Sequence, residues 1–126
     1  MAGVAKVAII LFLAAVAAQV NSDVQGQHGG CELSDIEVTQ EKTGKVVLGQ
    51  PEYRVTIENL CSCPQDDVQL HCNRLPSVES VNSRKIKVED QLCKVTSGLF
   101  NGSPVTFTYA WQIPQEFTVV SAVSSC

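Results

Sequence analysis

Apolar and polar residues alternate with a period of two through most of the chain after Cys31. The clearest run is Tyr53, Val55 and Ile57, in which each apolar residue is followed by a polar or charged one. This alternation places one face of a strand against a core and the other face in water. No segment beyond residue 22 keeps the apolar stripe of about 3.6 residues that is typical of an amphipathic helix. The pattern therefore predicts an all-β fold.

Further alternating or short apolar segments follow one another, separated by turn signals at 64–67 and 101–104. They lie at 36–38, 45–48, 68–72, 86–88, 92–95, 105–111 and 117–123. The stretch from Asn73 to Lys85 has no clear period and is expected to be a long loop. Short strands with turn signals between them are typical of an antiparallel sandwich or a small barrel. We expect a small antiparallel β-sandwich of about seven or eight strands.

Residues 1–22 have the pattern of a secretory signal peptide. One positive charge, Lys6, precedes an apolar run over 7–18, and polarity rises at Asn21 and Ser22. The run is shorter than the roughly 20 apolar residues that a membrane-spanning helix needs. We expect this segment to be removed on export. A flexible N-terminal arm over 23–30 and a single domain over 31–126 would remain, with no membrane insertion of the mature chain.

Charge excludes one class of partner. The whole chain carries a formal charge of −4, and loss of Lys6 leaves 8 basic and 13 acidic residues, a charge of −5. Nucleic-acid binding needs clustered basic residues that displace counterions from phosphates, and the lysines here are scattered. We therefore expect no nucleic-acid partner.

Cysteine content predicts a disulfide framework. An even number of cysteines in a small exported chain is typical of disulfide-bonded domains. The six are Cys31, Cys61, Cys63, Cys72, Cys93 and Cys126. Cys61 and Cys63 are too close in sequence to pair comfortably with each other, and the remaining pairings stay open. The alternative is a zinc site built from Cys61, Cys63, His71 and Cys72, although the C-x-C spacing is shorter than that of standard structural sites. We expect no metal and no cofactor.

No catalytic constellation is evident. His28 lies in the glycine-rich arm and His71 on the predicted outer face of a strand, and no nucleophile elbow accompanies them. The adjacent acids at 66–67 and 89–90 are not placed across a cleft as a glycosidase requires. We expect the protein not to be an enzyme; a small hydrolase that uses His71 is the weakest alternative.

Two surface features are candidate modification sites. Asn101-Gly102-Ser103 is a glycosylation sequon in a predicted turn. Arg84-Lys85 is a dibasic pair in the long loop, where a processing cut would fall between Cys72 and Cys93.

The order of these features resembles the tapetum determinant family of plant secreted proteins. The resemblance runs from Cys31 to Cys126. It is carried by Cys31 with Ile36-x-Val38-x-Gln40, by Gly49-x-Pro51-x-Tyr53-x-Val55-x-Ile57-x-Asn59-x-Cys61, by Cys63, by Val68-x-Leu70-x-Cys72, by Cys93-x-Val95, by Phe107-x-Tyr109-Ala110 and by Ser121-x-x-x-x-Cys126.

The resemblance implies a secreted ligand for the ectodomain of a plant leucine-rich-repeat receptor kinase, acting in the apoplast in anther or reproductive cell-fate signalling. Its candidate contact surface is the loop after Cys72, namely Asn73, Arg74, Leu75 and Pro76. The alternative function is an apoplastic carbohydrate-binding or wall-associated module, which predicts an exposed Trp111 or Tyr53. The alternation of Val105, Phe107, Tyr109 and Trp111 with threonines favours a core role, with Trp111 as the expected exception.

Overall fold

The computed structural model describes residues 30–126. The expected signal peptide, His28 and nearly all of the expected arm lie outside the described residues. The strands are β1 (Ile36–Val47), β2 (Gln50–Asn59), β3 (Gln65–His71), β4 (Ile86–Glu89), β5 (Leu92–Val95), β6 (Val105–Ala110) and β7 (Thr118–Ser124), and a 3-10 turn spans Leu33–Asp35. The strands form two antiparallel sheets, ordered β1-β2-β6 and β4-β5-β3-β7. The prediction of an all-β fold with disulfides is confirmed.

The strand β2 shows why the sequence folds this way. Tyr53, Val55 and Ile57 point to the core and are almost fully buried, as their period-two spacing predicts. Opposite them on β6 lie Tyr109, Phe107 and Val105. These residues pack against Val68, Leu70, Ile86 and Cys93 of the second sheet. The core therefore lies between the two inner sheet faces.

The segment at 45–48, expected as a separate short piece, is the end of β1 and its turn. Leu48 and Gly49 both have positive φ, 49° and 82°, as a two-residue type I′ hairpin requires. The register of β1 against β2 shifts between Lys42 and Val46. A bulge at 43–45, with Gly44 at φ 93°, produces this shift and re-aims the side chains beside it.

The sandwich has two distinct ends. At the cysteine end, which we define by Asn59, Gln65 and the Cys31–Cys61 and Cys63–Cys126 disulfides, β2 finishes and β3 begins. At the groove end, β3 and β6 finish and β5 and β7 begin. There we include residues 71–76 and 111–116. The antiparallel register carries each strand from one end to the other.

Candidate functional site: a groove at one end of the sandwich

An open groove of about 420 Å³ lies at the groove end of the molecule. Its lining is formed by two connections that are distant in sequence, the one that follows β3 and the one between β6 and β7. The lining residues are His71, Asn73, Ile113, Pro114, Gln115 and Glu116. Part of the candidate contact loop predicted from the sequence thus belongs to a concave surface.

The first wall follows β3. The Cys72–Cys93 disulfide joins the end of β3 to β5, and the Cys72 N–H donates to the Gln91 carbonyl at 2.9 Å. Asn73, Arg74 and Leu75 then take positive φ values of 49°, 64° and 37° in succession. Such a run is costly for residues with a Cβ and persists only where the surroundings fix it.

Two contacts fix this left-handed segment. The Leu75 N–H donates to the Cys72 carbonyl at 2.9 Å. The Leu75 side chain is buried in the core, with only 5% of its surface exposed. The Arg74 guanidinium lies 3.2 Å from the Asp90 carboxylate, with both side chains exposed. Of the four residues expected to contact a receptor, Asn73 and Arg74 are exposed, Pro76 is half-buried, and Leu75 anchors the segment from below.

The second wall is held by a hydrogen-bonded network around Tyr109. The Tyr109 hydroxyl donates to Gln40 Oε1 at 2.6 Å and accepts from the Gln115 N–H at 2.7 Å. Gln40 Nε2 in turn donates to the Gln115 carbonyl at 2.6 Å. Gln115 Nε2 donates to the Ile113 carbonyl at 3.1 Å. The backbone of this wall is therefore tied to β1 and β6.

The aromatic core supports the same network. The ring of Tyr109 stacks on Tyr53 with centroids 5.4 Å apart, and it meets the edge of Phe117 at 6.0 Å. Burial raises the pKa of Tyr109, and the backbone hydrogen bond from Gln115 opposes that rise. The phenol therefore remains protonated and can donate to Gln40.

The chemistry of the groove suits recognition. Its lining offers an imidazole, a carboxylate, two amides and the hydrocarbon of Ile113 and Pro114, and Ile113 is 60% exposed. None of these six lining residues is a serine, threonine or cysteine nucleophile, so His71 has no partner there for a hydrolytic step. Exposed apolar surface beside fixed polar groups is typical of a protein-binding surface.

All six cysteines are paired. The disulfides are Cys31–Cys61, Cys63–Cys126 and Cys72–Cys93. The sulfurs of Cys31, Cys61 and Cys63 lie within 4.8 Å of one another. Zinc needs thiolates, and these sulfurs are committed to disulfides. The zinc alternative would require three different disulfides to open.

The other candidate residues lie apart from the groove. Asn101 is exposed at the cysteine end, and its Nδ2 donates to the Asn59 carbonyl at 3.3 Å. Arg84 and Lys85 are exposed in a turn before β4. Trp111 is half-buried and packs against the core, whereas Tyr53 is buried within it. Neither ring offers the fully exposed face that the carbohydrate-binding alternative predicts.

Sequence reasoning identified one wall of the groove and missed the other. The proline at 114 and the polar residues around it indicate a connection between strands. Nothing in their spacing pairs them with Asn73, because that proximity arises from the sheet order that sets β7 beside β3. The Gln40 contact, 75 residues away in sequence from Gln115, carries no local signal.

Fold and cysteine framework together define a small disulfide-stapled β-sandwich. A family model described as "Tapetum determinant 1, C-terminal" matches residues 32–126. The chain belongs to the tapetum determinant family, as its sequence motifs predict. No curated protein and no solved structure gave a significant match. Within residues 30–126, no helix is long and apolar enough to cross a membrane.

Proposed function

We propose that the protein is a secreted ligand for the ectodomain of a plant leucine-rich-repeat receptor kinase, and that the groove end contacts the receptor. The observation that carries the proposal is the family match over residues 32–126, because this is a family of plant signalling ligands. Export by the signal peptide at 1–22, action in the apoplast and a part in anther or reproductive cell fate belong to the same proposal.

The contact surface is argued from the geometry of the groove end. Asn73 and Arg74 are held outward by the burial of Leu75, so they are presented to a partner in one conformation. Ile113 lines the same groove as Asn73, and its exposed side chain has no polar function. Interfaces commonly combine a buried apolar anchor with arginine contacts, and little ordering entropy is lost when the surface is already rigid.

Modification at Asn101 is compatible with this surface. Asn101 bridges to Asn59 at the cysteine end, away from the groove. A glycan there would leave Asn73, Arg74 and Ile113 accessible. We therefore propose Asn101 as a glycosylation site that does not interfere with receptor contact.

The experiment is a titration of the oxidised, signal-free protein against purified leucine-rich-repeat ectodomains, with a reduced and alkylated sample as the folding control. Saturable binding by the oxidised form alone is expected. Absence of binding across the ectodomain panel would overturn the receptor role. Quenching of Trp111 fluorescence by soluble wall glycans would then favour the carbohydrate-binding alternative.

A matched pair of variants locates the surface. Ile113→Asp introduces a charge at the groove end, and Leu60→Asp introduces the same charge at a side chain of similar exposure, 54%, at the cysteine end. We expect Ile113→Asp to weaken binding at least about tenfold, because an interface core tolerates an unpaired charge poorly. Leu60→Asp should bind like the wild type. Unchanged binding by Ile113→Asp would exclude the groove end as the contact surface.

A further inference from the structure

A short segment of the connection between β3 and β4 runs along the edge of β6. We call residues 77–79 the strap. The Val78 N–H donates to the Ala110 carbonyl at 2.9 Å, and the Ala110 N–H donates to Ser77 Oγ at 3.0 Å. Ser77 Oγ also donates to the Glu79 carbonyl at 2.8 Å and accepts from the Glu79 N–H at 3.2 Å. The strap is thus bonded to a single residue of β6, Ala110, by one backbone N–H and one side-chain hydroxyl.

The side chain of Glu79 makes the strap's other attachment. Ala110, to which the strap is bonded, is the register partner of Glu52 on β2, so the strap brings the Glu79 side chain within hydrogen-bonding reach of the Glu52 carboxyl group, which is 7% exposed. Glu52 is held from the β1 bulge, where Thr43 Oγ1 donates to Glu52 Oε1 at 2.7 Å and Lys45 Nζ lies 4.0 Å from Glu52 Oε2. Glu52 therefore already has one hydrogen-bond donor and one nearby ammonium group from β1.

The contact between the two acids requires a proton. Two ionised carboxylates offer only acceptors and repel each other when buried. Among the described residues, no donor hydrogen-bonds with the buried Glu79 Oε2. An ionised Oε2 would be left without a donor there, whereas a protonated Oε2 can donate to Glu52. The arrangement matches a carboxyl–carboxylate pair that shares one proton.

The surroundings place the proton on Glu79. Burial is the largest cause that raises the pKa of Glu79, and the contact with Glu52 raises it further, against a hydrogen bond to Thr108 and the attraction of Lys45. The hydrogen bond from Thr43 is the largest cause that lowers the pKa of Glu52, helped by Lys45 and Arg54 and opposed by burial. Every charged group that these contacts bring to the pair comes from β1 or β2.

We propose that residues 77–79 form a pH-sensitive strap, closed onto β6 by a proton shared between Glu79 and Glu52 and released as ionisation of Glu79 sets its carboxylate against the buried carboxylate of Glu52. The strap is separate from the residues proposed to contact a receptor, and the inference does not depend on that function. It lies in the same connection as Asn73 and Arg74, within the covalent ring that the Cys72–Cys93 disulfide closes.

The direction of the pH dependence follows from the two shifts. Because the folded pKa of Glu79 lies above its ordinary 4.5, the stability it adds is complete below 4.5 and is lost as the pH rises through the folded value. Because the folded pKa of Glu52 lies below 4.5, its contribution is lost as the pH falls through that lower value. The closed strap is therefore most stable at pH values between the folded pKa of Glu52 and the folded pKa of Glu79.

The test measures the hydrogen-exchange protection of the Val78 and Ala110 amides in the free protein, corrected for the intrinsic exchange rate. The pH is varied from the interval between the two folded pKa values into mildly alkaline solution. As the pH rises from 4.5 to the folded pKa of Glu79, protection in the wild type should fall by up to about tenfold per pH unit, because opening then releases one proton, and above that pKa it should level off. Glu79→Gln supplies a permanent donor to Glu52 and should show constant protection. Glu37→Gln, an equal loss of charge at an exposed β1 position, should behave like the wild type.

Two readouts keep the outcome clear. The amides of Val55 and Leu70 in the core strands report the global fold, so a fall confined to Val78 and Ala110 identifies the strap. The side-chain carboxyl carbon of Glu79, followed by NMR in the wild type, should titrate above 4.5. Protection that does not change with pH, or titration of Glu79 at or below its ordinary value, would overturn the proposal whether or not the Gln variant folds.

Discussion

The two ends of the sandwich are stabilised in different ways. The cysteine end carries two disulfides and a fully buried amide, Asn59, whereas the groove end carries one disulfide, Cys72–Cys93, and exposes Arg74 and Ile113 over a network of hydrogen bonds. At the cysteine end the side-chain amides of Asn59 and Asn101 hydrogen-bond to backbone groups of neighbouring segments. At the groove end the contacts fix the backbone of the two groove walls, and polar groups there remain exposed to solvent. The comparison separates a disulfide framework at one end from the surface that we propose for receptor contact at the other.

Asn59 shows what the framework requires. Its Nδ2 donates to the carbonyls of Cys63 and Leu99 at 2.9 and 2.8 Å, and its Oδ1 accepts from the Cys61 N–H at 2.9 Å and from Gln65 Nε2 at 3.2 Å. The full capacity of one side-chain amide is used without water. This residue sets the path of the chain between the two neighbouring cysteines, so that they can enter different disulfides.

The largest expected effect comes from opening the framework. Replacing Cys63 and Cys126 together by Ser should lower the free energy of unfolding by about 4 kcal/mol, because this disulfide closes the longest loop and most restricts the unfolded chain. The separations are 63 residues here and 30 for Cys31–Cys61. Denaturant unfolding should therefore show a slightly smaller loss for the Cys31→Ser, Cys61→Ser protein. A larger loss in that control would show that loop length does not decide the ranking.

The next effect comes from the buried amide. Asn59→Ala should cost about 2–3 kcal/mol in denaturant unfolding, because several buried backbone groups lose their partner. Asn101→Gln, at the same end but exposed and with a single hydrogen bond from its side chain, should cost less than about 1 kcal/mol. Similar losses in the two variants would contradict the role given to Asn59.

A smaller effect is expected at the groove end. Tyr109→Phe removes a hydroxyl that joins Gln40 to the Gln115 N–H, and it should cost about 1–3 kcal/mol. The loss should be coupled to Gln40, so the double variant with Gln40→Ala should lose less than the sum of the two single variants in thermal unfolding. Strict additivity would mean that the network does not act as a unit.

The smallest effect on stability belongs to the exposed ion pair. Arg74→Ala removes the contact with Asp90 and should change the free energy of unfolding by less than about 1 kcal/mol, because solvent screens such pairs. Arg54→Ala removes a comparable exposed pair with Glu41 on the sheet face. Calorimetric binding should separate the two, with receptor affinity reduced only by Arg74→Ala. Equal affinities would remove Arg74 from the proposed surface.

How far the sequence predicts this molecule depends on the range of each interaction. Strand β2 and strand β6 follow from alternation, because the facing of Val55 or Phe107 is set by neighbours two residues away. The alternation predicts that Glu52 lies on the outer face of β2 with Arg54. In the structure Glu52 is buried, because the strap lies beside it. The strap belongs to a loop whose sequence has no periodic pattern, so this burial could not be predicted. The wall at 113–116 and the disulfide pairing depend on sheet order, which a single sequence does not encode locally.

The Cys72–Cys93 disulfide makes the connection between them a closed covalent ring with a separation of 21 residues. Arg84 and Lys85 lie inside that ring. A backbone cut after Lys85 would yield a nicked, two-chain molecule that migrates as one species until it is reduced. The left-handed segment and the strap would both stay on the first chain. Disulfides would be the only covalent bonds between the first chain and the second. Samples judged homogeneous without reductant would conceal such a nick.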